Sequence, residues 1–272
     1  MRGVFLCLHG IGDHCRRNIG RYERLCKEGF GVITYDLMNH GVSDLDEYKT
    51  RAHISNFGHL VEDTNDFVLR DSNSVSLPEL PLIIAGTSFG SLVGLHTVLS
   101  GEHKFHAGIW GSPTIGVTWN PMLWAQSKLA KPLVAVFPTA KVVPAVQHNL
   151  LCRDPTFLTK FQADPLTTMD MMTTRSGHES LQAMIRLQED ERVTNADSAF
   201  CAVPMLFLAG SADSISDQQA AIKFFTMMGN LDKEYKLFAG LYHMVYEEPE
   251  KEDVLQYLTQ WLHRRFPIKA HQ

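Results

Sequence analysis

The sequence predicts an α/β fold, with a mainly parallel sheet of about six strands covered by helices on both faces. Two observations carry that expectation. Six short runs of strand length, most of them wholly apolar, recur along the 272 residues. Helix-like stretches separate them, except from about residue 113 to 201, where the alternation breaks.

Val4-Phe5-Leu6-Cys7-Leu8 reads as a buried first strand, and the Gly-rich turn His9-Gly10-Ile11-Gly12-Asp13-His14 follows at its carboxyl end. Tyr22, Leu25 and Cys26 suggest a helix stopped by Gly29. Gly31 to Tyr35 is the second strand. Between Asn56 and Leu69, Phe57, Leu60, Val61, Phe67 and Val68 recur at helical spacing. Pro78 and Pro81 precede the third strand, Leu82 to Ala85, and an apolar helix follows Ser88. Ala107 to Gly111 is the fourth strand. The stretch 113–201 holds a long helix-like apolar run to Val143, a Met-rich piece from Met169 to Met172, and a helix-like piece from His178 to Gln188. It reads as a helical cap inserted into a core formed by 1–112 and 202–272. Met205 to Ala209 and Glu234 to Phe238 supply the last two strands. Between them a helix starts at Ser216-Asp217, and Glu250 to Phe266 closes the chain with acidic residues early and Arg264-Arg265 late.

Composition narrows the class. Hydrophobic residues make up 44% and charged residues 20%, as in a globular chain. A net charge of -5 without a basic block argues against a nucleic-acid partner. Five scattered cysteines without a C-x-x-C pair indicate neither a disulfide framework nor a zinc site, and reduced thiols fit a cytoplasmic protein. No apolar run has the length of a membrane span, and the amino terminus lacks a signal-peptide pattern.

Gly86-Thr87-Ser88-Phe89-Gly90 carries the chemistry. G-x-S-x-G has mechanical meaning where a strand turns sharply into a helix, because the turn exposes the serine hydroxyl above the helix amino end. By itself the pattern arises by chance in roughly one chain of this length in ten. A serine hydroxyl needs a base, and on this topology the chain order is nucleophile, acid, histidine. Of the histidines beyond residue 209, His243 alone follows a strand; His263 lies in the terminal helix and His271 in the tail. Asp213 ends the preceding strand and is preferred as the acid over Asp217, which stands where a helix cap is wanted. An ester's developing oxyanion needs two N–H donors, expected from Phe89 and from Ile11. His9 reads as a residue that holds the turn.

The segments LHGIGDH, IGRYERL, YDLMNHGVSD, GTSFG, GSADSISD and GLYHMVYEEPE together resemble the monoacylglycerol lipase and lysophospholipase branch of the α/β-hydrolases. The resemblance covers most of the chain and is weakest in the cap. It implies Ser88, Asp213 and His243 as a triad, Ile11 and Phe89 as oxyanion donors, and Asp13 and Arg21 beside the departing alcohol. Thr87 and Phe89 replace a His and a Met common around the nucleophile. Tyr246 stands where relatives often carry a second histidine near the alcohol. Relatives also carry a few dozen residues, with two edge strands, ahead of the His-Gly strand. Their absence here leaves the 31–35 strand expected as an exposed edge.

These expectations describe a serine esterase acting on lipid monoesters without metal or cofactor. Trp119, Trp124, Met169 and Met172 of the cap, with Tyr246, are the candidate substrate contacts. Lys128, Lys131 and Lys141 could meet lipid headgroups in a peripheral membrane contact. A small-ester or peptide hydrolase with the same triad is the enzymatic alternative, and a non-catalytic ligand-binding α/β-hydrolase the alternative of another class. Oligomeric state is not legible.

Overall fold

A computed structural model describes residues 1–74, 80–117, 131–143, 147–168 and 171–268. β1 (Gly3–Leu8), α1 (Ile19–Lys27), β2 (Phe30–Thr34), α2 (Phe57–Ser74), β3 (Leu82–Thr87), α3 (Phe89–Ser100) and β4 (Ala107–Gly111) follow one another. β7 (Met205–Gly210), α8 (Gln218–Met227), β8 (Lys233–Phe238) and α9 (Lys251–Arg265) complete the core. Between β4 and β7 lie helical residues 131–136 (α4), β5 (Lys141–Val143), α5 (Pro155–Ala163), β6 (Met172–Thr173), α6 (Thr174–Glu189) and the short α7 (Glu191–Thr194).

The six core strands form one sheet in the order β2-β1-β3-β4-β7-β8, and each neighbouring pair is parallel. The reason is visible in the side chains. Along β1, Leu6 and Leu8 point to one apolar cluster, while Phe5 and Cys7 point to another. Ile84 opposes Ile83 and Ala85 in the same way, and Phe207 opposes Leu206 and Leu208. Strands apolar on both faces need cover on both. α2, α3, α6 and α8 supply it on one side, α1 and α9 on the other. β2 forms one margin of the sheet, as expected of the 31–35 strand.

One local expectation is corrected and one element is added. The apolar run to Val143 is not helical to its end. Pro138 follows the helical residues 131–136, and β-branched Val142 and Val143 lie in β5, which pairs antiparallel with β6. Asp154-Pro155 starts a helix not assigned from the sequence. Asp154 Oδ1 accepts from the Thr156 N–H at 2.8 Å, and proline sits at the first turn of α5. Within 113–201, α6 and α7 pack against the core: Ala183, Met184, Leu187 and Val193 belong to the same apolar cluster as residues of α2 and α3.

Candidate active site

Ser88 occupies the step between β3 and α3 with φ 54° and ψ −125°, a conformation that costs an ordinary residue of order 1–3 kcal/mol. Its backbone is pinned on both sides: its N–H donates to Gly111 O at 2.8 Å, and its carbonyl accepts from the Ser91 N–H at 2.9 Å. The flanking glycines are required by close approach. A Cβ on Gly86 would lie 2.4 Å from Gly90 O, and one on Gly90 would lie 2.5 Å from the carbonyl oxygens of both Leu8 and His9. The side chain of Ser88 therefore has one place to go, out over the carboxyl edge of the sheet.

There it meets His243. The Ser88 hydroxyl donates to His243 Nε2 at 2.9 Å, and the His243 Nδ1–H donates to Asp213 Oδ2 at 2.9 Å. Burial alone would raise the Asp213 carboxyl. The His243 ring and the N–H groups of Ile215 and Ser216, which donate to Asp213 Oδ1, hold it below its ordinary value. An ionised Asp213 fixes the proton of His243 on Nδ1 and leaves Nε2 free to accept. Asp217 lies apart from this line; its Oδ1 accepts from the Ala220 N–H and caps α8. Phe89 opens α3, so its N–H is among the amino-terminal groups without an intrahelical acceptor. The turn bearing Ile11 comes close as well: a Cβ on Gly10 would lie 3.2 Å from Ser88 Cβ. Such an arrangement can take a proton from a hydroxyl while N–H groups face a developing oxyanion.

A family model described as Serine aminopeptidase, S33 (Hydrolase_4) matches residues 1–250. The chain belongs to the Hydrolase_4 family. It is 27% identical over 271 residues to a monoglyceride lipase of Homo sapiens, covering 97% of this chain and 83% of the relative. It is 25% identical over 254 residues to Phospholipase YtpA of Bacillus subtilis, covering 93% and 92%. The structure of a Paleococcus ferrophilus monoacylglycerol lipase matches at a TM-score of 0.78 with 26% identity, over 97% of this chain and 95% of that one. A soluble variant of the Saccharomyces cerevisiae monoglyceride lipase, bound to a substrate analog, matches at 0.84 with 22% identity, over 99% and 89%, and shares the fold. The fold is that of the α/β-hydrolases.

The remaining candidates of this Hydrolase_4 chain are spread more widely. Asp13 is buried and paired to Arg17, whose Nε is 3.1 Å from Asp13 Oδ1. Arg21 is 6% exposed and lies beneath the elbow. Its Nη1 donates to Thr87 Oγ1 at 2.7 Å, and its guanidinium sits 4.7 Å from the Tyr246 ring centroid. Tyr246 is buried in the cluster on the α1 and α9 side of the sheet, packed where a Cβ on Gly111 would be. Met172 is half-buried in β6. Trp119, Trp124 and Met169, together with Lys128, lie outside the described residues.

Two hydroxyls beside the Hydrolase_4 site were not singled out as site residues: Thr114 lies just past a strand end, and Ser216 was read only as part of a helix start. Thr114 Oγ1 is 3.3 Å from Ser88 Oγ and 3.1 Å from Ser216 Oγ. Ser216 Oγ is 3.2 Å from His243 Nδ1 and donates to Ser112 O at 3.1 Å. The rule that ligands meet open α/β sheets at the carboxyl ends of the strands would have flagged both loops, without singling out these side chains.

His9 holds the turn. Its Nδ1–H donates to Gly10 O at 2.8 Å, and its Nε2 accepts from the Leu37 N–H at 3.0 Å. Burial pushes its ring well below the ordinary histidine value. Burial likewise lowers His40 to about 4 and His96 to about 4. Unfolded, each ring would take up its proton near pH 6.5. Between pH 6.5 and 4 the unfolded chain therefore binds protons that the folded chain does not. Stability should fall as the pH drops through that window, by up to about 1.4 kcal/mol per pH unit for each ring. Urea unfolding should show a lower midpoint at pH 5 than at pH 7, and His96→Phe should flatten the difference. Equal midpoints in the parent chain would contradict the buried neutral rings.

Proposed function

We propose that this chain is a serine esterase that cleaves carboxylic esters of lipids, of the monoacylglycerol or lysophospholipid type, through an acyl-enzyme. The observation that carries it is the continuous hydrogen-bonded line from Asp213 through His243 to Ser88, at 2.9 Å for each side-chain step. The names of the relatives, lipases and a phospholipase, support the substrate class.

In the proposed reaction His243 Nε2 takes the Ser88 proton as Oγ attacks the ester carbonyl. The carbonyl oxygen becomes an oxyanion between the N–H groups of Phe89 and Ile11, each contributing about 3–4 kcal/mol. Asp213 stabilises the imidazolium. The imidazolium then gives its proton to the leaving alcohol oxygen, the carbon–oxygen bond breaks, and Ser88 carries the acyl group. Water deprotonated by His243 attacks the acyl carbon, and Ser88 leaves with that proton.

Residues 113–201 are assigned as the cap that receives the acyl chain, with Trp119, Trp124, Met169 and Met172 as its contacts. Asp13, Arg21 and Tyr246 are assigned to the alcohol side, where burial of all three argues for shaping the floor rather than touching the substrate. A cytoplasmic site of action with peripheral membrane contact is part of the same proposal. In its favour, Leu133, Val136, Phe137, Val142 and Met171 are exposed beside exposed Lys131 and Lys141. Among the described residues no helix is long and apolar enough to cross a membrane.

A panel of esters from acetate to palmitate tests the assignment. The ratio kcat/KM should rise by about tenfold or more from acetate to a medium or long chain, since each buried methylene contributes about 0.8 kcal/mol at most. A maximum at acetate would overturn the lipid assignment and favour a small-ester hydrolase. The family description names an aminopeptidase, so aminoacyl amides belong in the panel. Their cleavage with lipid esters untouched would favour the peptide alternative.

A further inference from the structure

In the turn Gly10-Ile11-Gly12, Gly10 is held by His9, whose Nδ1–H donates to Gly10 O, but the Ile11-Gly12 end has little of its own to hold it. Two of its three residues have no side chain, and Gly12 has φ 70°. Yet an oxyanion donor must be placed to within about 0.5 Å to be effective. Support for the Ile11-Gly12 end comes from residues 151–168. The Thr168 N–H donates to Gly12 O at 2.7 Å. Asp164 Oδ2 is 2.9 Å from His14 Nε2 and 3.5 Å from Arg17 Nη1, and the Arg17 guanidinium lies 4.2 Å from the Phe161 ring centroid. His14 and Arg17 flank the turn on its carboxyl side.

The other end of the same segment grips the histidine loop. The Met244 N–H, next to His243, donates to Leu151 O at 2.8 Å. Arg153 donates to the fully buried Glu248 through its backbone N–H at 2.7 Å and its Nε at 2.5 Å, and reaches Glu250 as well. Leu151, Cys152 and Phe161 bury Met244, with Ile215 of the acid loop packed against them. α5 runs between these two anchorages. Nine residues of helix span about 14 Å.

We propose that residues 151–168 are a strut that sets the oxyanion turn at a fixed distance from His243, with Asp164 and Arg153 as positioning residues at its two ends. This rests on the esterase assignment above, and it separates the cap into a fixed part, 151–168, and the remainder. A lid that closed over the substrate would have to move without α5.

Asp164→Asn keeps the turn acceptor for the Leu166 N–H, which donates to Asp164 Oδ1, and removes the charge that His14 and Arg17 face. It should lower kcat by about 10- to 100-fold, the scale of an ångström's misplacement, with KM within twofold. Arg153→Gln should do the same from the far end. Hydrogen exchange, read without substrate, should quicken over residues 9–14 in both variants, although Arg153 touches nothing there. A merely structural role would lower the melting temperature and leave kcat within twofold, and that result overturns the proposal. Unchanged exchange at 9–14 in Arg153→Gln overturns it too. If Arg153→Gln does not fold, Asp164→Asn read at 243–248 decides in the same way. A parent chain that hydrolyses no ester would defeat the esterase assignment alone, because exchange still tests the strut.

Discussion

Ser88→Ala should abolish ester turnover, lowering kcat by about 10⁵- to 10⁶-fold, while leaving the fold almost untouched. The size follows from the role: a nucleophile that acts as one unit with its base takes nearly the whole triad contribution with it when removed. The indifference of the fold follows from the local geometry. Alanine is no worse than serine at φ 54°, and the pinning contacts of Ser88 are backbone bonds to Gly111 and Ser91 that alanine retains. Only the side-chain bonds to His243 and Thr114 disappear. Stability should therefore stay within about 1 kcal/mol of the parent. His243→Ala should be about as inactive, and the double variant scarcely worse. Esterase activity of purified Ser88→Ala within tenfold of the parent would defeat the assignment of the nucleophile. So would failure of a fluorophosphonate to label the parent at Ser88.

Gly90→Ala should have the opposite signature, losing the fold itself. The added Cβ would stand 2.5 Å from two carbonyl oxygens, Leu8 O and His9 O. Both belong to backbone, and neither can retreat alone, because Leu8 is in register with Gly86 in the β1–β3 pairing. Overpacking among side chains typically costs 1–3 kcal/mol; a collision with two backbone atoms should exceed about 4 kcal/mol. For a chain of this size that lowers the melting temperature by roughly 10 °C or more, or leaves no soluble protein. Gly20→Ala in α1 is the control. A Cβ there meets nothing within 4 Å, and alanine favours the helix by up to about 1 kcal/mol. If Gly90→Ala melted within about 2 °C of the parent, the close approach of α3 to β1 would be wrong.

What could be read without coordinates was whatever repeats or is paired with a fixed chain order. Runs such as Met205 to Ala209 are apolar on every residue because both faces are buried, and four of them, with the less uniform runs 31–35 and 234–238, predict the sheet. The nearness of His243 and Asp213 to Ser88 was legible because each follows a strand, and parallel strands put their carboxyl ends on one edge. Asp217 could be set aside by its capping position, directly before α8. Thr114 and Ser216 were not legible, since one hydroxyl in a loop has no period to betray it. Arg21 was placed beside the departing alcohol by the resemblance alone; its burial depends on Thr87 and Tyr246, brought together only by the sheet. The end of the apolar run to Val143 was misread because a helix and a short strand of β-branched residues share that run.

The sheet order sets a schedule as well as a shape. Ser88 ends a strand that is synthesised before β4, β7 and β8, whereas Asp213 and His243 follow β7 and β8. For most of translation the growing chain carries a serine with no partner to ionise it. Its chemistry is switched on only when β8 docks at the far margin and the imidazole arrives, so the nascent protein is inert toward esters until that strand has been made.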